Sequence, residues 1–311
     1  MIAKFSLIAL MNACVCFAAE SQIEGPKLGF IYDRQAAAVR PMLGIPGAAL
    51  IGDRLPFEIR QAVVSASHDF VIGVFGDEST VGLLTFFDGK IRLLKGAKAG
   101  PSQIVLSPNG TSAAIVNGTH VQLFTGMPAN AAAGIEFDLA GVPAAIAVSD
   151  DGAVALAATE ELDRMALYSY SSEGAAHRIL TAGQIRSIEF LNQSHDAVLA
   201  DAIENKVILL RNAADPTLIA SVDQPTVVAA SADNRTILAA SSSSRLITTI
   251  SLSDGKSSST ACGCEPVALA RLRGGIVFRI TDLSDGPTWI VDTSGAEPRV
   301  LFIPQSGGGN D

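Results

Sequence analysis

Short apolar runs, most of them four to six residues long, follow one another along the chain and are cut by Gly, Asn, Asp, Ser and Pro. Many alternate with period two, as in His120-Val-Gln-Leu-Phe, Lys206-Val-Ile-Leu-Leu and Gly134-Ile-Glu-Phe-Asp-Leu. That alternation predicts half-buried β-strands, and the intervening clusters predict tight turns. No stretch of a dozen residues carries a capped 3.6-residue pattern, so helices are not expected.

The runs repeat. Segments beginning Ala62-Val-Val-Ser, Ile104-Val-Leu-Ser, Ile146-Ala-Val-Ser, Ile188-Glu-Phe-Leu, Val228-Ala-Ala-Ser and Leu269-Ala-Arg-Leu are spaced about 41 residues apart, and Pro101, Pro143, Pro225 and Pro266 punctuate the joins. Each copy reads as an apolar run, a turn such as Ser-Pro-Asn-Gly, a second run, a polar tip, a third run and a weaker fourth. Four strands in about 41 residues form one antiparallel meander, which must stack against like units to cover both faces. The expected fold is an all-β propeller of four-stranded antiparallel blades. Repeats fill residues 60–304, and residues 27–52, with candidate strands at 29–32, 38–43 and 48–51, read as a degenerate first blade. In that segment Arg40-Pro-Met-Leu-Gly-Ile-Pro-Gly reads as an outer strand and exit turn. Seven blades are expected, with six plus an added edge strand as the alternative.

Residues 1–18 read as a signal peptide: Lys4 opens it, an apolar stretch from Phe5 to Phe17 follows, and Ala18 offers a cleavage site. The stretch is too short to span a bilayer, and Met-Asn-Ala before Cys14 is a poor lipoprotein signal. The expectation is a secreted or periplasmic chain with one domain over 19–304, no transmembrane segment after cleavage, and a disordered tail at 305–311.

Hydrophobic residues at 48% and charged residues at 17% exclude a disordered chain. The formal charge is −9, becoming −10 when Lys4 leaves with the signal peptide (21 basic, 31 acidic). An acidic balance opposes a phosphate backbone, so no nucleic-acid partner is expected.

Ala145-Ile-Ala-Val-Ser-Asp-Asp-Gly-Ala-Val-Ala-Leu-Ala-Ala, with Gly141-x-Pro143 before it, resembles the YVTN-type repeats of bacterial secreted WD40-like propellers. The resemblance covers most of residues 60–304, and such propellers serve unrelated tasks. It implies a binding or scaffold module for a protein or small molecule, a lactonase-like or other hydrolytic enzyme, or a subunit of a quinoprotein-like redox assembly.

Candidate chemistry is sparse. Ser67-His68-Asp69 and Ser194-His195-Asp196 occupy equivalent turns, where consecutive side chains cannot converge as a catalytic triad does; they read as turn residues. No catalytic residue is assigned, and His120 and His177 stand singly, without metal-ligand spacing. Cys262-Gly-Cys264 reads as a local disulfide in an oxidising compartment, with free thiols or a redox or metal role as alternatives. Polar tips between second and third strands carry Asp77, Glu78, Glu160, Glu161, Asp163, Asp201, Glu204 and Asp282. They read as an acidic face, solvated by default, or as a ring of hard oxygen ligands for Ca²⁺. Four Asn-x-Ser/Thr sequons, at Asn109, Asn117, Asn192 and Asn234, fall mostly in predicted turns, and Trp289 reads as core.

Overall fold

The computed structural model describes residues 25–171, 176–283, 286–295 and 297–304. The proposed signal peptide and tail lie outside the described residues. Seven antiparallel sheets follow one another in chain order. The first contains β1 (Lys27–Asp33), β2 (Ala38–Ile45) and β3 (Ala48–Ile51). The second contains β4 (Gln61–Val64), β5 (Phe70–Phe75), β6 (Thr80–Thr85) and β7 (Ile91–Leu93). Five more four-stranded blades follow, within 103–138, 143–182, 185–221, 227–261 and 270–303. The sheets form the seven-bladed β-propeller anticipated from the repeat, and the described residues contain no helix.

Burial follows from stacking. Second and third strands are buried on both faces: Phe70–Phe75 is buried at every position, and so is Ala197–Asp201. Outer strands such as Ile91–Leu93 are exposed throughout. The cores lie between blades, so Phe70, Ile72 and Leu83 of blade 2 pack with Ile104, Ile115 and Phe124 of blade 3. Small residues let adjacent sheets approach, notably Ala155, Ala157, Ala239 and Ala240, all fully buried.

The turns joining inner to second strands cluster on one face and bond to one another. Asp150 accepts from Asn109 N at 2.8 Å and from Gln193 N at 2.6 Å, linking blades 3, 4 and 5. Asn234 Oδ1 accepts from Asn192 N, and its amide donates back to Asn192 O, both at 2.8 Å. Asn and Asp in the repeated turn therefore join neighbouring blades as well as shaping the backbone.

Blade 1 differs from the rest in a way the sequence did not show. The turn residues before β2, β6 and the third strands of blades 5 and 6 end in the left-handed residues Ala37, Ser79, Asn205 and Arg245. The β1–β2 turn is thus the second-to-third turn of a blade. Leu28 O accepts from Arg273 N at 2.9 Å, which places the start of β1 beside an inner-to-second turn. β1, β2 and β3 are therefore the second, third and outer strands, and among the described residues no inner strand completes this sheet. Arg40 to Ile45 lies in the third strand, not the outer strand expected for it.

Candidate functional site

The narrow centre of the ring is lined by inner strands and carries few charges. Glu189 of blade 5 and Arg271 of blade 7 meet there, with N···O 3.6 Å. Arg271 Nη2 also donates to Pro108 O of blade 3 at 2.7 Å. The guanidinium thus crosses the axis and ties three blades together. Glu189 Oε1 accepts from Ala230 N at 3.2 Å. Burial pushes the Glu189 carboxyl above its ordinary range, against the pull of Arg271. A cavity of about 230 Å³ surrounds this pair.

His68 lies at the seam between blades 7 and 2, over the start of β1. It sits in the predicted turn, in a left-handed conformation, but its ring is buried. Nδ1 accepts from Phe30 N at 2.9 Å, and Nε2 stands 2.9 Å from Arg271 O. These contacts fit a neutral imidazole protonated at Nε2. Burial is the main force lowering its pKa to about 4; the bond to the Arg271 carbonyl opposes it, while Arg273 adds to it. A Cβ on Gly29 would lie 2.7 Å from the ring, so only glycine lets the imidazole lie there. Sequence reasoning missed Glu189, Arg271 and this bridging role of His68. The Leu269-Ala-Arg-Leu-Arg-Gly-Gly departure from the repeat was the available signal for Arg271 and Arg273.

The second Ser-His-Asp turn is solvent-exposed. His195 Nε2 lies 2.9 Å from Asp151 Oδ2. Burial pushes the Asp151 carboxyl up, but bonds from Ser149, Ala153 N and His195 outweigh it and bring it to about 2.

The acidic tips share one face, opposite the turn cluster, and most hold local partners. Asp77 pairs with Arg60 at 3.1 Å and Asp282 with Arg279 at 2.7 Å. Glu161 binds the Tyr168 hydroxyl and pairs with Arg178 at 2.9 Å. Glu204 pairs with Arg164 and Lys206. Asp201 is buried and accepts from Gly183 N, Gln184 N and Glu204 N at 2.9, 2.9 and 3.1 Å. Glu78, Glu160 and Asp163 are exposed. Among the described residues no three His, Cys, Asp or Glu side chains are placed to hold a metal ion. Cys262 and Cys264 are disulfide-bonded, with Cα atoms 5.0 Å apart across Gly263. Trp289 is half-buried against Phe302.

An apolar concavity lies between blades 1 and 2. It holds about 460 Å³ and is lined chiefly by Phe30, Pro41, Leu43, Leu55, Phe57 and Phe86, with Lys27 and Thr85 contributing polar groups. Phe30 and Phe86 stack with centroids 3.9 Å apart. Phe87, fully exposed, adjoins Phe86 on the same turn, and Ile45, Leu50, Ile91 and Leu93 are exposed on the same two blades. Among the described residues, five of the twelve exposed large apolar side chains thus fall on blades 1 and 2.

No family model matches the chain, and no curated protein matches it. Solved propellers do. A functionally unknown protein from Desulfotomaculum acetoxidans DSM 771 is 13% identical with a TM-score of 0.60, covering 89% of this chain and 99% of its own. A Bacteroides fragilis protein provisionally named a 6-phosphogluconolactonase is 15% identical with a TM-score of 0.59, covering 90% and 95%. A Bacteroides uniformis protein with the same provisional name is 16% identical with a TM-score of 0.57, covering 90% and 96%. At these identities the likeness establishes the propeller fold alone. The YVTN-type pattern stays a resemblance of the repeat.

Proposed function

We propose that the chain is an exported binding module that takes an apolar side chain of a protein partner into the pocket between blades 1 and 2. The observation that carries this reading is the aromatic-lined 460 Å³ pocket, with exposed Phe87 next in sequence to the lining Phe86 and exposed Leu50 paired across the sheet with the lining Leu43. Exposed apolar surface beside an apolar pocket marks interaction sites on proteins. Filling the pocket with one large apolar side chain contributes roughly 1.5–3 kcal/mol, or about a tenfold to hundredfold gain in affinity. Export rests on the signal-like residues 1–18, and the Cys262–Cys264 disulfide suits an oxidising compartment.

The names of the two Bacteroides propellers suggest a hydrolytic reading, which needs polar groups free to converge on a substrate. The central polar groups here are engaged with one another: Arg271 with Glu189 and Pro108, and His68 with Phe30 and Arg271. That geometry favours binding over catalysis.

Panning a random peptide library on the folded chain tests the proposal. Enriched peptides should centre on Phe, Trp, Leu or Ile and lose at least about tenfold in affinity for Leu43→Arg. Peptides that bind the Leu43→Arg chain as tightly would overturn the site.

A further inference from the structure

Two unlike charges face each other at the axis of the ring without closing on each other. Arg271 Nη2 reaches Pro108 O at 2.7 Å but stands 3.6 Å from Glu189 Oε1, beyond hydrogen-bond distance. Glu189 Oε1 is held instead by Ala230 N at 3.2 Å, and Ser187 Oγ accepts from Val228 N at 3.3 Å in the same way. Blade 5 side chains thus grip the inner strand of blade 6, Val227–Ala230, which fixes where the carboxylate stands. These contacts use one nitrogen and one oxygen. Among the described residues, Arg271 Nε and Nη1 take no acceptor and Glu189 Oε2 takes no donor.

Both residues line the 230 Å³ cavity, where Val64, Leu106, Val148 and Phe190 supply apolar wall. The Arg271 side chain is only 8% exposed. A charged group so enclosed needs partners for its remaining donors, because burying them unmatched is costly.

We propose that this cavity binds a small aliphatic zwitterion of the α-amino-acid class, with its carboxylate on Arg271, its ammonium on Glu189 and its side chain on the apolar wall. Charge selects the class. Glu189 and Arg271 are the two charged residues among those lining the cavity. A lone anion would be repelled by Glu189 and a lone cation by Arg271, whereas a zwitterion satisfies both. Geometry agrees. An α-amino acid carries its two charges across a single carbon, which suits facing groups 3.6 Å apart. The guanidinium fork takes a carboxylate through two parallel N–H bonds, and Nε and Nη1 offer that pair. Size agrees as well. The volume falls below the roughly 300–1,000 Å³ of sites for drug-sized ligands, so the occupant is small.

Calorimetric titration of the folded chain with L-leucine, L-valine and two half-probes, isovalerate and isoamylamine, tests this. The amino acids should bind, and each half-probe, lacking one of the two charges, should bind at least about tenfold more weakly. Glu189→Gln keeps a carbonyl acceptor for Ala230 N but removes the charge, and should weaken L-leucine at least about tenfold. Leu43→Arg, in the pocket between blades 1 and 2, should leave L-leucine binding unchanged, which separates this site from that one. No binding of either amino acid at concentrations up to about 10 mM would overturn the proposal. Isovalerate binding as tightly as L-leucine would mark a plain anion site, and equal L-leucine affinity in Glu189→Gln would place the ligand elsewhere. Either result would overturn it too.

Discussion

Acid should loosen this ring through His68. In the folded chain the imidazole is buried, accepts at Nδ1 from Phe30 N, and has a pKa near 4 against an ordinary 6.5. Protonation would set an N–H against the Phe30 N–H. Arg273 and Arg279 nearby add positive charge, and Asp69 only partly offsets it. As pH falls through 6.5 the unfolded chain binds the proton first. Stability that is complete above that value is therefore lost progressively, by about 2 kcal/mol at pH 5 and about 3 kcal/mol near pH 4. Urea midpoints of the parent and His68→Gln between pH 7.5 and 4.5 measure the loss. Gln accepts through its carbonyl and donates through its amide without titrating, so the variant's curve should lack this component. Parent and variant curves that run parallel over the whole range would refute the reasoning.

Three further perturbations follow from particular contacts. Arg271→Ala leaves Glu189 half-buried and Pro108 O without its donor; a loss of about 3 kcal/mol by chemical denaturation is expected, partly recovered in Glu189→Gln/Arg271→Ala. Asp201→Ala orphans three backbone N–H groups and should cost at least about 3 kcal/mol, whereas Asp77→Ala, at an exposed pair, should cost under about 1 kcal/mol. Cys262→Ser/Cys264→Ser opens a loop only two residues in separation, so thermal unfolding should register a loss of about 1.5 kcal/mol or less.

The blades were legible because a repeated meander writes itself into local pattern. Strands expected at 29–32, 38–43 and 48–51 are found as 27–33, 38–45 and 48–51. The identity of those first strands was not legible, since a second strand and an inner strand show the same apolar alternation. Only their neighbours in space reveal that these are the second, third and outer strands, with no inner strand among the described residues. The centre of the ring was hidden for a related reason. His68 meets Arg271 across 203 residues, and Arg271 meets Pro108 across 163, and no local pattern encodes such meetings. Asp201 looked like one more acidic tip. Its burial depends on the turn from Gly183 to Gln184 folding over it.

The account stands on a closed ring in which blade 7 packs directly on blade 1, bringing the outer strands β3 and Arg299–Ile303 into contact. Leu50 and Phe302 are exposed on those strands. In the chain carrying Leu50→Cys and Phe302→Cys, a short bis-maleimide should join the two within one molecule, and peptide mapping by mass spectrometry should recover the linked pair at dilute protein concentration. Recovery of each site singly modified, with no intramolecular link, would mean that the ring does not close at this seam.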